Sequence, residues 1–179
     1  MKYGMNMLLW TTDVTEDHYP VLDKLKALGF DGVELPIFDM DAGKFAALGK
    51  KLDEIGLERT AVTICTGDAN PISDSAEIRS AGLDRLKQAI DMCAASSATH
   101  LCGPIHSAIG EFTGQGATAD EWKHGQETLA QAADYAQQAG IMLVVNQNMR
   151  YDQSIRGCKC ILERGYLGKP VLATIDMRA

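Results

Sequence analysis

Four side chains that could do chemistry follow the predicted strands of a parallel α/β sheet. They are Trp10, Glu34, Cys65 and His106. In such sheets, ligands bind beyond the carboxyl ends of the strands. A carboxylate, an imidazole and a thiol gathered there could hydrogen-bond a polyol, and an indole could stack on its carbon face. The pattern therefore predicts a binding site for a small polar ligand.

Two of these residues also have purely structural interpretations. Glu34 could cap the following helix or form a salt bridge. His106 follows Gly103-Pro104-Ile105 in a loop, so it could be a hydrogen-bonded loop histidine that touches no ligand. Position alone does not separate these alternatives.

Several catalytic motifs are absent from the sequence. No GxGxxG follows the first predicted strand, and there is no GxxxxGK[ST], so we expect no nucleotide cofactor. The glycine-dense loop 110–116 contains an acid and no lysine, which does not suit phosphate. GxSxG and HExxH are missing as well. The five cysteines include no CxxC pair, and we expect them to be reduced thiols.

The elements that must position the candidate residues alternate regularly along the chain. Apolar runs predict strands at 3–10, 30–35, 58–64, 99–103, 141–145 and 171–175. Between them, amphipathic stripes predict helices at 17–28, 42–55, 75–96, 119–139 and 152–164. This alternation indicates parallel βα units, because a parallel strand pair needs a helical crossover.

The number of units limits the fold. A complete eight-fold barrel needs about 250 residues, whereas this chain has 179. We therefore predict an α/β fold, a partial (βα)8 TIM barrel of about five βα units plus a sixth strand. The alternative is an open doubly wound parallel sheet.

The amino-acid composition of the chain limits the classes of binding partner that we expect. The chain carries 17 Lys+Arg against 24 Asp+Glu, a net charge of −7, and 46% of its residues are hydrophobic. The acidic balance argues against nucleic acid as the main partner. No apolar run approaches the roughly 20 residues of a membrane span, and the first ten residues make a poor signal peptide. We expect a cytoplasmic protein, and the open sheet edges predict a homo-oligomer.

Four segments in order resemble the sugar isomerase/epimerase barrels, the xylose isomerase-like TIM barrels, and within them the D-tagatose 3-epimerase branch. The segments are Tyr3-Gly4-Met5-Asn6 with Trp10, Leu28 to Glu34, Cys102 to Ser107 and Ala139 to Val145. The resemblance covers about residues 1–145. It implies a metal-dependent barrel that moves a proton between adjacent carbons of a ketose, with two glutamates as acid and base.

The same resemblance implies a divalent metal (Mn, Co or Mg) held by ligands after strands five to eight. Asn146 occupies the position of the family's glutamate after strand five, and its amide cannot act as a base. Asp176 stands after the sixth predicted strand, where the family places an aspartate ligand. Metal binding is therefore expected to be weak, and no catalytic residue of the family is intact.

The tail, about residues 146–179, is similar to a segment of the glucose–fructose oxidoreductase/inositol dehydrogenase family. The similarity rests on Asn146 to Asp152 and on Glu163 to Ala173, which includes Arg164-Gly165-Tyr166-Leu167-Gly168-Lys169-Pro170. We therefore predict an epimerase-like partial barrel over 1–145. A dehydrogenase-like helix and strand over 146–179 would continue the same domain.

Three functions follow in decreasing order of support. The first is a sugar or sugar phosphate isomerase/epimerase that is impaired or inactive in this truncated hybrid chain. The second is a non-catalytic carbohydrate-binding or assembly fragment, and the third is an oxidoreductase fragment, suggested by the tail alone.

Overall fold

A computed structural model describes residues 1–111, 113–145, 160 and 164. The chain divides into two compact units, Met1–Asn146 and Gln147–Ala179, and the fold given below is that of the first unit. The helix predicted over 152–164 falls mostly outside the described residues. The strand predicted over 171–175 lies wholly outside them, as do Asn146 and Asp176.

The described residues form one five-stranded parallel sheet. Its strands are β1 (Gly4–Asn6), β2 (Gly32–Pro36), β3 (Glu58–Val62), β4 (His100–Gly103) and β5 (Met142–Val145). Four α-helices follow β1 to β4 in turn: α1 (Tyr19–Ala27), α2 (Ala42–Ile55), α3 (Ala76–Ala95) and α4 (Ala119–Gln138). Three single-turn 3-10 helices lie at Met7–Leu9, Glu16–His18 and Gly67–Ala69.

The strand order selects between the two predicted architectures. Each strand pairs with the next one along the chain, in the order β1-β2-β3-β4-β5. A doubly wound sheet reverses its strand order at a switch point, and these five strands show no reversal. The partial TIM barrel is therefore confirmed for the described strands, and the doubly wound alternative is wrong.

Local chemistry explains where the helices begin and end. The Asp41 carboxylate caps α2 by accepting from the amides of Gly43 and Lys44. Gly56 ends that helix in the left-handed conformation, with φ of 74°, which a glycine adopts without strain. Thr118 and Glu121 form a reciprocal capping box at the start of α4.

The first strand is shorter than predicted. The apolar run 3–10 predicted one strand, but β1 ends at Asn6 and a 3-10 turn follows. The Asn6 side chain accepts a hydrogen bond from the amide of Leu8, and the Trp10 amide donates to the Met7 carbonyl. These local bonds end the strand, because an asparagine side chain competes with the ladder for backbone groups.

The main core lies between the sheet and its helices. Leu35 and Leu101 point from the strands into this layer and are fully buried. They pack in one cluster with helical residues such as Leu22, Leu52 and Ile90. Among the described residues, none of the helices combines the length and apolar character needed to cross a membrane.

Candidate functional site

Because successive side chains of a strand point to opposite faces, every second side chain lies on the inner face of the sheet, the face without helices. In β2, Val33 and Leu35 are buried against the helices, so Glu34 between them points to the inner face. In β4, Leu101 is buried and Cys102 is partly exposed on the inner face. The inner face of the partial barrel therefore carries the polar groups.

Glu34 is held there by two donors from other strands. The Asn6 amide nitrogen donates to Oε1 of Glu34 over 2.6 Å. The Cys102 thiol donates to Oε2 over 3.1 Å. These three side chains, Asn6, Glu34 and Cys102, are called the Glu34 cluster below. They fix the plane of the carboxylate near the carboxyl ends of β1, β2 and β4.

The second of these contacts, between Cys102 and Glu34, joins strands that are not neighbours in the sheet. Cys102 and Glu34 lie on β4 and β2, and β3 runs between these two strands. At the end of β4 the backbone comes very close to the residue that follows β3, since a Cβ on Gly103 would lie 1.9 Å from the Thr63 carbonyl oxygen. Gly103 has a φ of 143°, so glycine suits this position on both counts. The hydrogen bond from Cys102 to Glu34 therefore joins β4 to β2 across β3.

The cluster keeps its thiol protonated. Burial, followed by the hydrogen bond to Glu34 and the charge of that carboxylate, raises the pKa of Cys102 to about 12. A thiol with this pKa is a hydrogen-bond donor at neutral pH and a poor nucleophile. The cluster therefore offers a carboxylate acceptor to a ligand and provides no thiolate for covalent catalysis.

A cavity of about 550 Å³ runs along the inner face. Asn6, Glu34, Thr60 and His100 line it, and it extends past Lys2, Asp31 and Glu58 toward the amino ends of the strands. Its volume lies within the range of small-molecule pockets. However, the cavity approaches Glu34 from the amino ends of the strands, whereas ligands of barrel enzymes bind beyond the carboxyl ends. We therefore attach the candidate site to the Glu34 cluster and not to the cavity as a whole.

The other predicted site residues are not brought to this cavity. Trp10 is 46% exposed just after the 3-10 turn that follows β1. His106 lies in the loop after β4, and its backbone oxygen would be 4.0 Å from a Cβ on Gly125 of α4. Nδ1 of His106 is buried without a hydrogen-bond partner among the described residues. Contact of Trp10 or His106 with a ligand stays a prediction.

Cys65 lies behind the surface that a ligand would touch. It is fully buried in a small cluster with Leu86, Ile105 and Ala132. Its thiol donates to the Ile105 carbonyl over 3.6 Å, and burial raises its pKa to about 11. The strand predicted over 58–64 ends at Val62, so Cys65 lies three residues beyond β3, and its side chain packs into the core.

The described residues do not by themselves fit a divalent metal. Nowhere in residues 1–111 and 113–145 do three or more His, Cys, Asp or Glu side chains gather closely enough to hold an ion. The Glu34 cluster offers one carboxylate, one amide and a protonated thiol, whereas Mn²⁺ and Mg²⁺ favour several oxygen ligands. Asn146 and Asp176 lie outside the description, so their part in metal binding stays a prediction.

Two of the three residues of the Glu34 cluster, Asn6 and Cys102, are not among the site residues predicted from the sequence. Asn6 sits within a run that predicted a longer strand, and Cys102 was treated as an unremarkable thiol. Alternation provided a signal for Cys102, because the neighbouring Leu101 is the obvious core residue of β4. No sequence signal pairs Cys102 with Glu34, which stands 68 positions earlier.

The family model and the sequence relatives that match this chain agree with one another. The family model described as xylose isomerase-like TIM barrel matches residues 22–155. A ketose 3-epimerase of Arthrobacter globiformis is 31% identical over 159 residues, covering 87% of this chain and 54% of the relative. An L-ribulose 3-epimerase of Methylomonas sp. (strain DH-1) is 25% identical, again over 87% of this chain and 54% of the relative. The chain thus spans about half the length of these curated relatives.

Solved structures agree on the fold. A D-psicose 3-epimerase crystallised in the presence of D-fructose superposes with a TM-score of 0.72 at 24% identity, covering 81% of this chain and 52% of that one. A D-allulose 3-epimerase from Methylomonas sp. in complex with D-allulose also gives 0.72, at 22% identity, covering 91% and 58%. At these identities, the structural matches establish the barrel architecture.

Proposed function

This chain belongs to the xylose isomerase-like TIM barrel family, and from that premise we propose that it serves ketose epimerisation. The reaction would move a proton between the two faces of a carbon next to a carbonyl. The observation that carries the proposal is the Glu34 cluster, a carboxylate oriented by two donors on the inner face of a chain similar to ketose 3-epimerases. The fold itself would be compatible with many reactions.

Within this proposal, Glu34 binds the sugar. Both of its oxygens already accept one hydrogen bond, from Asn6 and Cys102. A carboxylate has about four lone-pair positions, so acceptor capacity remains for sugar hydroxyls. The donors hold the carboxylate in one orientation, which reduces the entropy that it would lose on binding.

We further propose that the chain alone is impaired as an enzyme. Epimerisation needs a base on one face and an acid on the other, and each proton-transfer group contributes roughly 10²–10⁴ in rate. Asn146 is neutral at the position that the family resemblance assigns to a glutamate. A divalent metal would polarise the sugar oxygens, and the described residues hold no ligand set for it.

An epimerisation assay tests the impairment. Conversion of D-fructose to D-psicose is followed with Mn²⁺, Co²⁺ or Mg²⁺ and compared with the Arthrobacter enzyme. We expect turnover at least about 10²-fold slower in this chain. Turnover equal to that of the relative would contradict the impairment and support the epimerase function. Asn146→Glu, with Asn148→Glu as the matched control, asks whether a restored carboxylate recovers activity.

A second function, carbohydrate binding without catalysis, is favoured by one specific observation. The three residues of the Glu34 cluster all lie within residues 1–145, and their hydrogen bonds already orient the carboxylate. Calorimetry with D-psicose should then show binding that Glu34→Gln weakens. Glu127→Gln, on an exposed position of α4, is the control. Unchanged binding in Glu34→Gln would remove Glu34 from the sugar site.

Three further proposals follow from the sequence. The similarity of residues 146–179 to a dehydrogenase segment suggests an oxidoreductase fragment as a weaker alternative, which a fluorescence titration with NADH would test. A homo-oligomer is proposed from the open strand edges and is tested by light scattering. Cytoplasmic location is proposed from the sequence and is tested by cell fractionation.

A further inference from the structure

The side-chain amide of Asn6 is engaged at both its oxygen and its nitrogen. The oxygen accepts a hydrogen bond from the Leu8 backbone amide over 2.8 Å, and the nitrogen donates to Oε1 of Glu34 over 2.6 Å. Because a backbone N–H engages the oxygen, the nitrogen is the end that must face the carboxylate. The two hydrogen bonds together therefore fix the orientation of the Asn6 side chain.

Asn6 connects Glu34 to the turn that precedes Trp10. It is the last residue of β1 and the cap of the 3-10 turn Met7–Leu9. Its register partner in β2 is Glu34, so the two side chains lie on the same face of the sheet. The Trp10 amide in turn donates to the carbonyl of Met7 in the capped turn. One side chain thus contacts both the carboxylate and this turn.

The other neighbours of Glu34 are weaker partners for its carboxylate. Its register partner on β3 is Thr60, which carries no charge. The Cys102 thiol donates over 3.1 Å, and a thiol is a weak donor. Among the described residues, no lysine or arginine forms an ion pair with Glu34. The amide of Asn6 is therefore the strongest of the donors that orient this carboxylate.

We propose that Asn6 is a positioning residue, which sets the orientation in which Glu34 meets the sugar and joins that carboxylate to the turn before Trp10. The proposal deepens the proposed function and rests on it for the identity of the ligand. The contact between Asn6 and Glu34 can also be measured without a sugar, so the two proposals can fail separately.

The variant Asn6→Asp separates the two hydrogen bonds. It keeps an oxygen that can cap the turn but replaces the donor with a second carboxylate beside Glu34. Two ionised carboxylates at this distance repel each other, so the pair should share a proton at acid pH, and a protonated carboxyl can donate as the amide did. Calorimetry with D-psicose should therefore show binding at least about tenfold weaker than in the unsubstituted chain at pH 8. At pH 5 most of that loss should disappear, whereas a purely structural defect would weaken binding equally at both pH values.

A matched control makes the same chemical change at another asparagine. The side-chain oxygen of Asn70 accepts hydrogen bonds from the backbone amides of Ile72 and Ala108, so Asn70→Asp should show no loss confined to pH 8. Each variant is compared with the unsubstituted chain at the same pH, because the Cys102 thiol and the charged or titratable groups of the adjoining cavity are common to all three proteins. These groups are Lys2, Tyr3, Asp31, Glu58, Arg59 and His100.

Two measurements need no sugar. In urea denaturation, the free energy of unfolding of Asn6→Asp should fall from pH 5 to pH 8 more than that of the unsubstituted chain, because the folded carboxylate pair holds a proton that the unfolded chain releases. In a Trp122→Phe background, which leaves Trp10 as the only tryptophan, Asn6→Ala should shift the emission maximum and Asn6→Asp should not. This pair of variants tests the bond from Leu8 to Asn6.

The other outcomes overturn the proposal in different ways. If Glu34→Gln weakens sugar binding while Asn6→Asp binds normally at both pH values, Asn6 does not position Glu34, and the sugar-binding role of Glu34 stands. If neither variant weakens binding, the proposal fails together with that role. Equal weakening of Asn6→Asp at pH 5 and pH 8, with no difference in stability between them, would show that Asn6 acts only in folding.

Discussion

The two faces of the sheet differ in their burial and in the polarity of their side chains. On the helix-facing side Val33, Leu35 and Leu101 are nearly or fully buried, and Val145 at the end of β5 is 38% exposed. The inner side holds a hydrogen-bonded carboxylate at Glu34 and exposes Met142 and Val144. Folding of these βα units therefore depends mainly on the outer face, which leaves the inner face available for binding. The predictions below test that division.

The largest expected difference is in stability. Leu101→Ala removes a fully buried side chain from the outer face, and such truncations typically cost about 2–5 kcal/mol in the free energy of unfolding. Met142→Ala, on the exposed inner face, should cost about 0.5 kcal/mol or less. Urea denaturation of both variants measures the difference. Equal losses would show that the inner face is also covered and that the faces are not distinct.

Alkaline pH should weaken the fold through its buried thiols. The pKa values of Cys65, Cys93 and Cys102 are raised from about 9 to about 11, 12 and 12, mainly by burial. Between pH 9 and 11, the folded state keeps protons that the unfolded state has lost. The free energy of unfolding therefore falls as pH rises, by up to about 1.4 kcal/mol per pH unit for each of the buried thiols Cys65 and Cys93, and by less for the partly exposed Cys102. Urea titrations at pH 8, 9 and 10 measure this slope.

A cysteine variant identifies the source of that slope. Cys93→Ala should make the decline above pH 9 shallower, although it also removes buried volume at every pH. Cys160→Ala, at an exposed cysteine, should leave the slope unchanged. If the two variants decline alike, groups other than the buried thiols cause the alkaline loss.

The smallest expected effect concerns the Glu34 cluster. Glu34→Gln removes the negative charge that helps to raise the pKa of Cys102. Alkylation of Cys102 by iodoacetamide at pH 8.5 should become several-fold faster, because more thiolate is present. The rate at Cys65, in the separate core cluster, should not change. Peptide mass spectrometry resolves the two sites, and an unchanged Cys102 rate would show that the charge of Glu34 has little influence on this thiol.

Elements governed by local chemistry were predicted well. The range 42–55 matches α2, and 75–96 exceeds α3 by one residue at each end, because Ser75 and Ser96 are its caps. The strand predicted over 3–10 was too long. There the apolar pattern continued, but the side chain of Asn6 bonded to the next turn.

The sequence by itself determined the alternation of strands and helices, since hydrophobic periodicity, caps and glycine stops are local properties. It also placed Glu34 in the second strand, although as the last chemical group of that strand, whereas Glu34 is the middle residue of β2. Only the tertiary structure decided that Asn6 and Cys102 hold Glu34 and that Cys65 faces the core. Those outcomes depend on the curvature of the sheet across β3 and on the face of the sheet to which each side chain points. The physical reason is that curvature and facing arise from the packing of helices and strands far apart in sequence, which no local pattern encodes.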